Sequence, residues 1–396
     1  MSKINRVAEG QISPQEHTKL TKLRQQFHSI PELGFDEHKT SDLICKTLDD
    51  IGIPYERGIA DTGIVASLKM GDGSAVVGFR ADIDALPINE ATNLEYRSTH
   101  EGVMHACGHD GHTTMLLGAA RYLKESGSFN GTVRFIFQPA EEHGKGALRM
   151  ISDGLFERFP VDSVFGLHNM PSLETGKIAL NSGPIMGAED NFVIKVVGQG
   201  GHAAMPHTGK DALTIGASIV TELQTIVSRN VNPLHGGVVS CTEFLTDGTT
   251  NVIPTEVTIK GDTRSFLPEV SELIERRMQQ NVEGICAAHG AEFEFSYERV
   301  FLSTINHAKE ASLASEAALR VVGANNLDSN CLPMMASEDF GAMLRERPGC
   351  YAFIGNKAPD GKGETMLHNA SYDFNDDIIP LGVNYWVNLA AKILPA

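Results

Sequence analysis

The chain is expected to be an α/β protein: a main domain built on a mixed, largely parallel sheet, interrupted by a ferredoxin-like α+β domain. Three observations lead there. Glycine-bounded apolar runs alternate with helical stretches in the first half, a β-α-β-β-α-β order begins near Asn191, and the α/β pattern then resumes to the end. The domains are placed at 1–188, 189–300 (the insertion) and 301–396.

The elements follow in order. Leu20, Leu23 and Phe27 recur at helical spacing until Pro31 ends the run, and Leu43, Cys45, Leu48 and Ile51 predict a second helix closed by Gly52. Ile64–Leu68 and Val76–Phe79 read as strands, and a helix is expected from about His112 to Lys124. Val133–Phe137 and Val164–Leu167 are further buried strands. In the insertion, strands are expected near 191–197, 238–244, 255–263 and 293–297. The two helices between them run near 211–228 and 270–288. A helix near 310–322, a strand at 351–354 and a terminal amphipathic helix ending at Leu394 complete the first domain.

Composition removes several classes of function. With 33 basic and 50 acidic residues the chain carries −17, so it has no general attraction for nucleic acid or an anionic membrane. Met1 to Gly10 is too polar for a signal peptide, and no run of 18 apolar residues occurs. The six cysteines (45, 107, 241, 286, 331 and 350) lack CxxC pairing and suggest a reducing, cytoplasmic location. Neither an HExxH nor a Gly-x-Ser-x-Gly motif is present.

Metal-ligand residue types gather instead at expected strand ends. In His105–His112, Cys107 and His109 stand two apart, too close to share a helix face, and belong on the turn feeding the next helix. His105 reads as an ordinary polar loop residue. Glu141 and Glu142 leave a buried strand through Pro139. Two such carboxylates repel unless a cation or proton lies between them, which suits one ligand and one general base. His168 ends an apolar strand, and His368 follows a glycine-rich loop. Each alone would be an ordinary hydrogen-bonded histidine; as a set from separate strand ends they become candidate ligands. Asp82 and Asp84 are placed to orient the ligating histidines.

The runs Arg80–Pro87, His105–His112, Gln138–Glu142, Leu167–Asn169, Gly200–Ala204, Asn251–Pro254, Ser337–Phe340 and Leu367–Asn369 occur in that order. Together they resemble the N-acyl-L-amino-acid amidohydrolases, the group of hippurate hydrolases and plant indoleacetyl-amino-acid hydrolases, within the dinuclear aminoacylase and carboxypeptidase superfamily. The resemblance spans about residues 18–390; Ala370 stands where a proline often follows the asparagine. It implies two divalent ions bridged by Cys107, with His109 and His168 on one and Glu142 and His368 on the other. It also implies Glu141 as general base, and the insertion as a lid and dimerisation domain. His202 would reach a partner's active site to steady the oxyanion, and Asn251 and Arg264 would hold the substrate's carboxylate. Sulfur with imidazole favours zinc, while the resemblance points as often to manganese or cobalt. The expected partners are a small N-acyl amino acid and a second copy, in a homodimer or homotetramer. A carboxypeptidase or dipeptidase of the same superfamily is the alternative. A catalytically silent metal binder is a further one, against which the retained Glu141 argues.

Overall fold

The computed structural model describes residues 12–396; Met1 to Gly10, read above for a signal peptide, lie outside the described residues. Helix α1 (Pro14–Ser29) opens where Ser13 Oγ accepts from the Glu16 amide at 3.2 Å, with proline at the first helical position. Helix α2 (His38–Ile51) closes on Gly52 at φ 75°. Strands β1 (Tyr55–Ile59), β2 (Gly63–Met70) and β3 (Val76–Asp82) follow. The first of these is absent from the sequence reading because Tyr-Glu-Arg-Gly-Ile is mostly solvent-facing and shows no apolar run. Next come α3 (His109–Ser126), β4 (Gly131–Gln138), the short helices α4 (Gly146–Ser152) and α5 (Leu155–Arg158), then β5 (Ser163–Glu174), β6 (Ile178–Ala179) and β7 (Gly183–Met186). The middle of the chain forms β8 (Ala188–Val197), β9 (Gly201–His202), α6 (Ala212–Arg229), β10 (Gly237–Thr246), β11 (Val252–Ile253), β12 (Glu256–Ser265), α7 (Pro268–His289) and β13 (Glu292–Phe301). The remainder is β14 (Thr304–Asn306), α8 (Ala308–Val322), β15 (Leu327–Asp328), α9 (Phe340–Glu346), β16 (Gly349–Lys357) and α10 (Ile379–Ile393).

Two compact units result. The first runs to Ile185 and resumes over Ile305–Leu332 and Asp339–Ala396; the second is Met186–Thr304 with Pro333–Glu338. In the first unit an eight-stranded sheet has the order β1-β2-β4-β3-β5-β16-β6-β15. The pairs β3–β4, β3–β5, β5–β16 and β6–β15 are parallel, the others antiparallel. Strands β3, β5 and β16 are buried almost end to end, as a parallel sheet covered on both faces requires. Trp386 of α10 lies 4.9 Å, centroid to centroid, from Phe79, which meets Phe165 edge-on at 6.4 Å.

The second unit obeys a different rule. Its antiparallel sheet has the order β10-β12-β8-β13, the arrangement of a β-α-β-β-α-β ferredoxin-like unit. Along β13 part-buried and exposed residues alternate over most of its length, so only one face of the sheet is covered. Ile215, Ile219, Leu223 and Ile226 of α6 and Ile274, Met278 and Val282 of α7 build the core beneath it.

A buried polar cluster ties the two ends of the first unit together. Arg24 of α1 forks onto Asp376, Nε to Oδ1 at 2.7 Å and Nη2 to Oδ2 at 2.8 Å, while His28 Nδ1 meets Asp110 Oδ2 at 2.8 Å. Burial opposes charge on His28 and Arg24 repels it, but Asp110 and Glu90 outweigh both and lift its pKa from 6.5 to about 9. A raised histidine pKa contributes stability below about pH 6.5 that is lost as pH rises through about 9. The unfolding free energy that separates wild type from His28→Gln should therefore shrink by about 3 kcal/mol across that window. Denaturant titrations that show the same difference at both ends would place a neutral imidazole at position 28.

Candidate metal centre

The carboxyl ends of neighbouring parallel strands, where open α/β sheets bind ligands, converge here. Strand β3 delivers Asp82 and then Asp84, and β4 turns through Pro139 into Glu141 and Glu142. His109 is the first residue of α3, three residues before the expected start, because Gly108 at φ 91° turns the chain into the helix. A side chain at Gly108 would collide with Asn169 Oδ1, so glycine is required both by angle and by space. His168 does not end its strand: β5 continues to Glu174, since its pairing with β16 extends past this point through Met170 and Gly355. His368 sits on a loop at φ 61°, its amide donating to Ala106 O at 2.8 Å.

These segments bring the five expected ligands together as two overlapping triads. Cys107, His109 and His168 form one, and Cys107, Glu142 and His368 the other, the potential ligand atoms within each lying within 4.8 Å of one another. Cys107 Sγ, common to both, is 3.4 Å from His168 Nε2. Glu141 lies within the same limit of His109 and Glu142, and is buried. The first triad is wholly buried, whereas the His368 side chain is about half exposed.

Hydrogen bonds fix which nitrogen two of the imidazoles, His168 and His109, present. His168 donates from Nδ1 to Asn169 O at 2.7 Å, leaving Nε2 toward the thiol. His109 donates from Nδ1 to Asp84 at 3.0 Å (O) and 3.1 Å (Oδ1), and its buried Nε2 has no hydrogen-bond partner. Glu142 Oε1 is likewise buried and unpaired by hydrogen bonds, 3.9 Å from that nitrogen and 3.4 Å from His368 Nε2. A thiol, three imidazoles and a carboxylate, with buried atoms left over, are the donor set of a divalent transition-metal pair.

Protonation tells the same story. Burial works against a charged His109, but Asp82, Asp84 and Glu142 lift its pKa to about 10. Burial together with Glu142, Glu141 and Asp82 holds the Cys107 thiol well above its usual range. Both groups keep protons that a cation would displace. Burial and the neighbouring His112 and His109 push His168 well below the ordinary histidine range, so it is a neutral donor.

The two aspartates make different contacts. Asp84 accepts from the candidate ligand His109, and its Oδ2 also accepts the Glu142 amide at 3.0 Å. Asp82 is instead committed to Arg80 Nη1 (2.7 Å) and His112 Nδ1 (2.6 Å), reaching only 3.8 Å from His109 Nε2. His112, given no role by its sequence context, spans Asp82 and Asn169 Oδ1 (2.7 Å). His105, read as an ordinary polar loop residue, does lie on a loop, but it is buried with no hydrogen-bond partner at either ring nitrogen. Asp339, unassigned from sequence, accepts from Arg80 Nη2 (3.0 Å), Gln138 Nε2 (2.8 Å) and the Ala147 amide (2.9 Å).

The other expected site residues belong to the second unit. His202 pairs with Val252 across β9 and β11, and the Ala203 amide donates to Asn251 O at 3.0 Å, so His202 and Asn251 are neighbours. His202 Nδ1 accepts from the Ala204 amide at 3.0 Å, which leaves the proton on Nε2. Arg264 lies apart from them on β12, bound to Asp262 (2.6 Å), Glu189 (2.7 Å) and Ser337 Oγ (2.6 Å).

Residues 78–392 match the family described as peptidase family M20/M25/M40. The chain belongs to this family. It is 43% identical over 373 residues to the hippurate hydrolase of Campylobacter jejuni, covering 94% of this chain and 96% of that one. It is 43% identical over 286 residues to the N-acyl-L-amino acid amidohydrolase of Geobacillus stearothermophilus, covering 72% and 77%. Among solved structures, a Bacillus subtilis protein described as a dinuclear metal binding peptidase of the M20 family superposes with a TM-score of 0.84 at 32% identity, over 96% of this chain and 99% of that one. M20 membership accounts for the architecture seen here, a large mixed sheet with an inserted second unit.

Within this M20 centre, Asp84 both aims His109 and anchors the Glu142 backbone. Asp84→Ala should weaken binding of a divalent cation by roughly 10- to 100-fold, read by competition against a chelating dye. Unchanged affinity would show that neither contact is needed to hold the ligands.

Proposed function

We propose that this protein is a dinuclear metal-dependent amidohydrolase that cleaves N-acyl-L-amino acids to a carboxylic acid and a free amino acid. The single observation that carries the reading is the pair of buried, unpaired atoms His109 Nε2 and Glu142 Oε1, set beside Cys107 with a second carboxylate, Glu141, adjoining them. A site made only to store a cation has no use for Glu141. The names of the relatives, a hippurate hydrolase and an N-acyl-L-amino acid amidohydrolase, support the substrate class.

Cys107, His109 and His168 would hold one ion and Cys107, Glu142 and His368 the other. Two divalent ions bound there supply the positive charge that polarises an amide carbonyl and lowers the pKa of water toward ~7. Glu141 takes the proton of the attacking water and hands it to the leaving nitrogen. His202, with its proton on Nε2, donates to the carbonyl oxygen as that atom gains negative charge. We assign this donor to the neighbouring subunit of a homodimer or homotetramer, and Asn251 and Arg264 to the substrate's carboxylate. The thiol with imidazole suits zinc, with manganese and cobalt as the competing ions. Six free cysteines fit a reducing compartment, which we take to be the cytoplasm, and among the described residues no helix is long and apolar enough to cross a membrane.

Metal-stripped protein, reloaded in turn with Zn, Mn and Co, should hydrolyse hippurate, N-acetyl or indoleacetyl amino acids; activity confined to dipeptides would make it a dipeptidase. On the best substrate Glu141→Gln should retain metal and lose several orders of magnitude in turnover, while Glu142→Gln should lose metal by elemental analysis. Equal metal loss in both would overturn the division of roles.

His202→Ala should fold, bind metal and lose ~10²–10³ in rate. Mixing it with Glu141→Gln under conditions of subunit exchange should restore activity, because one site in each hybrid then has both groups. No recovery despite proven exchange would place His202 within its own chain's site or outside the reaction.

A further inference from the structure

We propose that Glu37, a buried residue about a hundred positions from Glu141 in sequence, is a positioning residue that sets the orientation of Glu141 through the backbone of Ala140. The inference rests on Glu141 being the base. Glu37 precedes α2, and its carboxylate is fully buried. Oε1 accepts the amide of Ala140 at 2.9 Å, and Oε2 accepts the hydroxyl of Thr62 at 2.6 Å. Ala140 is held at φ 52°, in the left-handed region that residues with a Cβ rarely occupy. Such conformations persist where the surroundings over-determine them, and they gather at functional sites. Here the excursion turns the chain by one residue just where β4 must hand on to two adjacent carboxylates with separate tasks.

The loop before Glu37 is built for this approach. Leu33 pairs with Ala85, and the Ala85 amide donates to Glu32 O at 2.8 Å, so the loop is docked on the strand extension that carries Asp84. Gly34 lies against Ala140, where a Cβ would come within 2.8 Å of its Cα and Cβ. Beyond Glu141 the Gly144 amide donates to Glu141 O at 2.7 Å, and the Gly146 amide donates to Ala140 O at 3.1 Å. The acid-bearing turn is thus gripped by two carboxylates on two of its amides, Glu37 on Ala140 and Asp84 on Glu142, with Asp339 holding the Ala147 amide in the helix that follows. The Asp84 grip serves a proposed ligand and the Asp339 grip lies past the turn. The Glu37 grip falls on the residue immediately before the base.

Substitutions of Glu37, alone and in a Glu141→Gln background, test this, each assayed with its bound metal counted. Glu37→Ala should lower kcat about 10- to 100-fold, the scale of a small misplacement of a reacting group, with KM and metal content unchanged. Glu37→Gln should restore most of the rate, because its amide oxygen still accepts from Ala140 while its NH2 donates to Thr62 Oγ1. Should Glu37→Ala not fold, Glu37→Asp, one methylene too short to reach, carries the same expectation. In a Glu141→Gln background Glu37→Ala should cause no additional loss, since nothing remains to be positioned. Normal kcat in Glu37→Ala or Glu37→Asp, or a loss that tracks metal content alone, would overturn the role of Glu37 while leaving Glu141 as base. Near-normal activity in Glu141→Gln itself would overturn the base assignment.

Discussion

Buried negative charge governs this site. Asp82, Asp84, Glu141 and Asp339 are all buried near the ends of β3 and β4, with Glu142 at their edge, and such a cluster is tolerable only if positive charge is threaded through it. Arg80 supplies part of it from inside β3, binding Asp82 and Asp339 at once, and its burial makes each of those contacts depend on the other. Removing one partner of a buried pair of this kind typically costs about 3–5 kcal/mol, because the remaining charge is stranded. His109 supplies more: burial works against a charged Asp82, yet its interactions with His109, His112 and Arg80 hold the carboxyl well below its usual range. Beside this cluster gather the potential ligand atoms of Cys107, His109 and Glu142.

The sequence makes the candidate ligands legible because each sits next to a strong local signal: a glycine-framed turn for Cys107 and His109, a proline exit for Glu142 (and for Glu141 beside it), an apolar run for His168 and a glycine-rich loop before His368. The supporting residues were harder to read because their partners are remote. Asp82 and Asp84 look alike on paper, yet alternation along the chain gives one to Arg80 and His112 and the other to His109 and Glu142. Glu37 carries no signal at all until Ala140 is folded against it. The end of strand β5 is hidden for a related reason: a polar His-Asn pair reads as a strand end, but both side chains are satisfied inside the sheet by Asn169 O, His112 and Tyr372.

At the level of architecture, the two sheets show why some strands announce themselves and others do not. Strands covered on both faces read as continuous apolar runs, and those covered on one face read as alternation; both were visible. Strands β6, β9, β11 and β15 have two residues each and are too short for either pattern. Nothing in the local composition marks Pro333–Glu338 as a return to the second unit, since its membership comes from pairing of Met334 with Met186 and from the bonds of Ser337 to Arg264 and Glu189.

The place of β16 in its sheet has a consequence for how the protein is made. It lies between β5 and β6, although some 170 residues of chain separate it from them, and Asp376, beyond it, completes the fork on Arg24 near the other end. During synthesis the first half must therefore leave the ribosome with the inner edge of β5 open, and keep it so until the last tenth or so of the chain emerges. The middle unit, continuous except for six residues, can collapse in the meantime. Closing so long a loop is slow, and an unsatisfied strand edge is a template for wrong pairing. A ribosome that stops before β16 releases a chain lacking both the strand that seals the sheet and the candidate ligand His368, so an interrupted product is sticky.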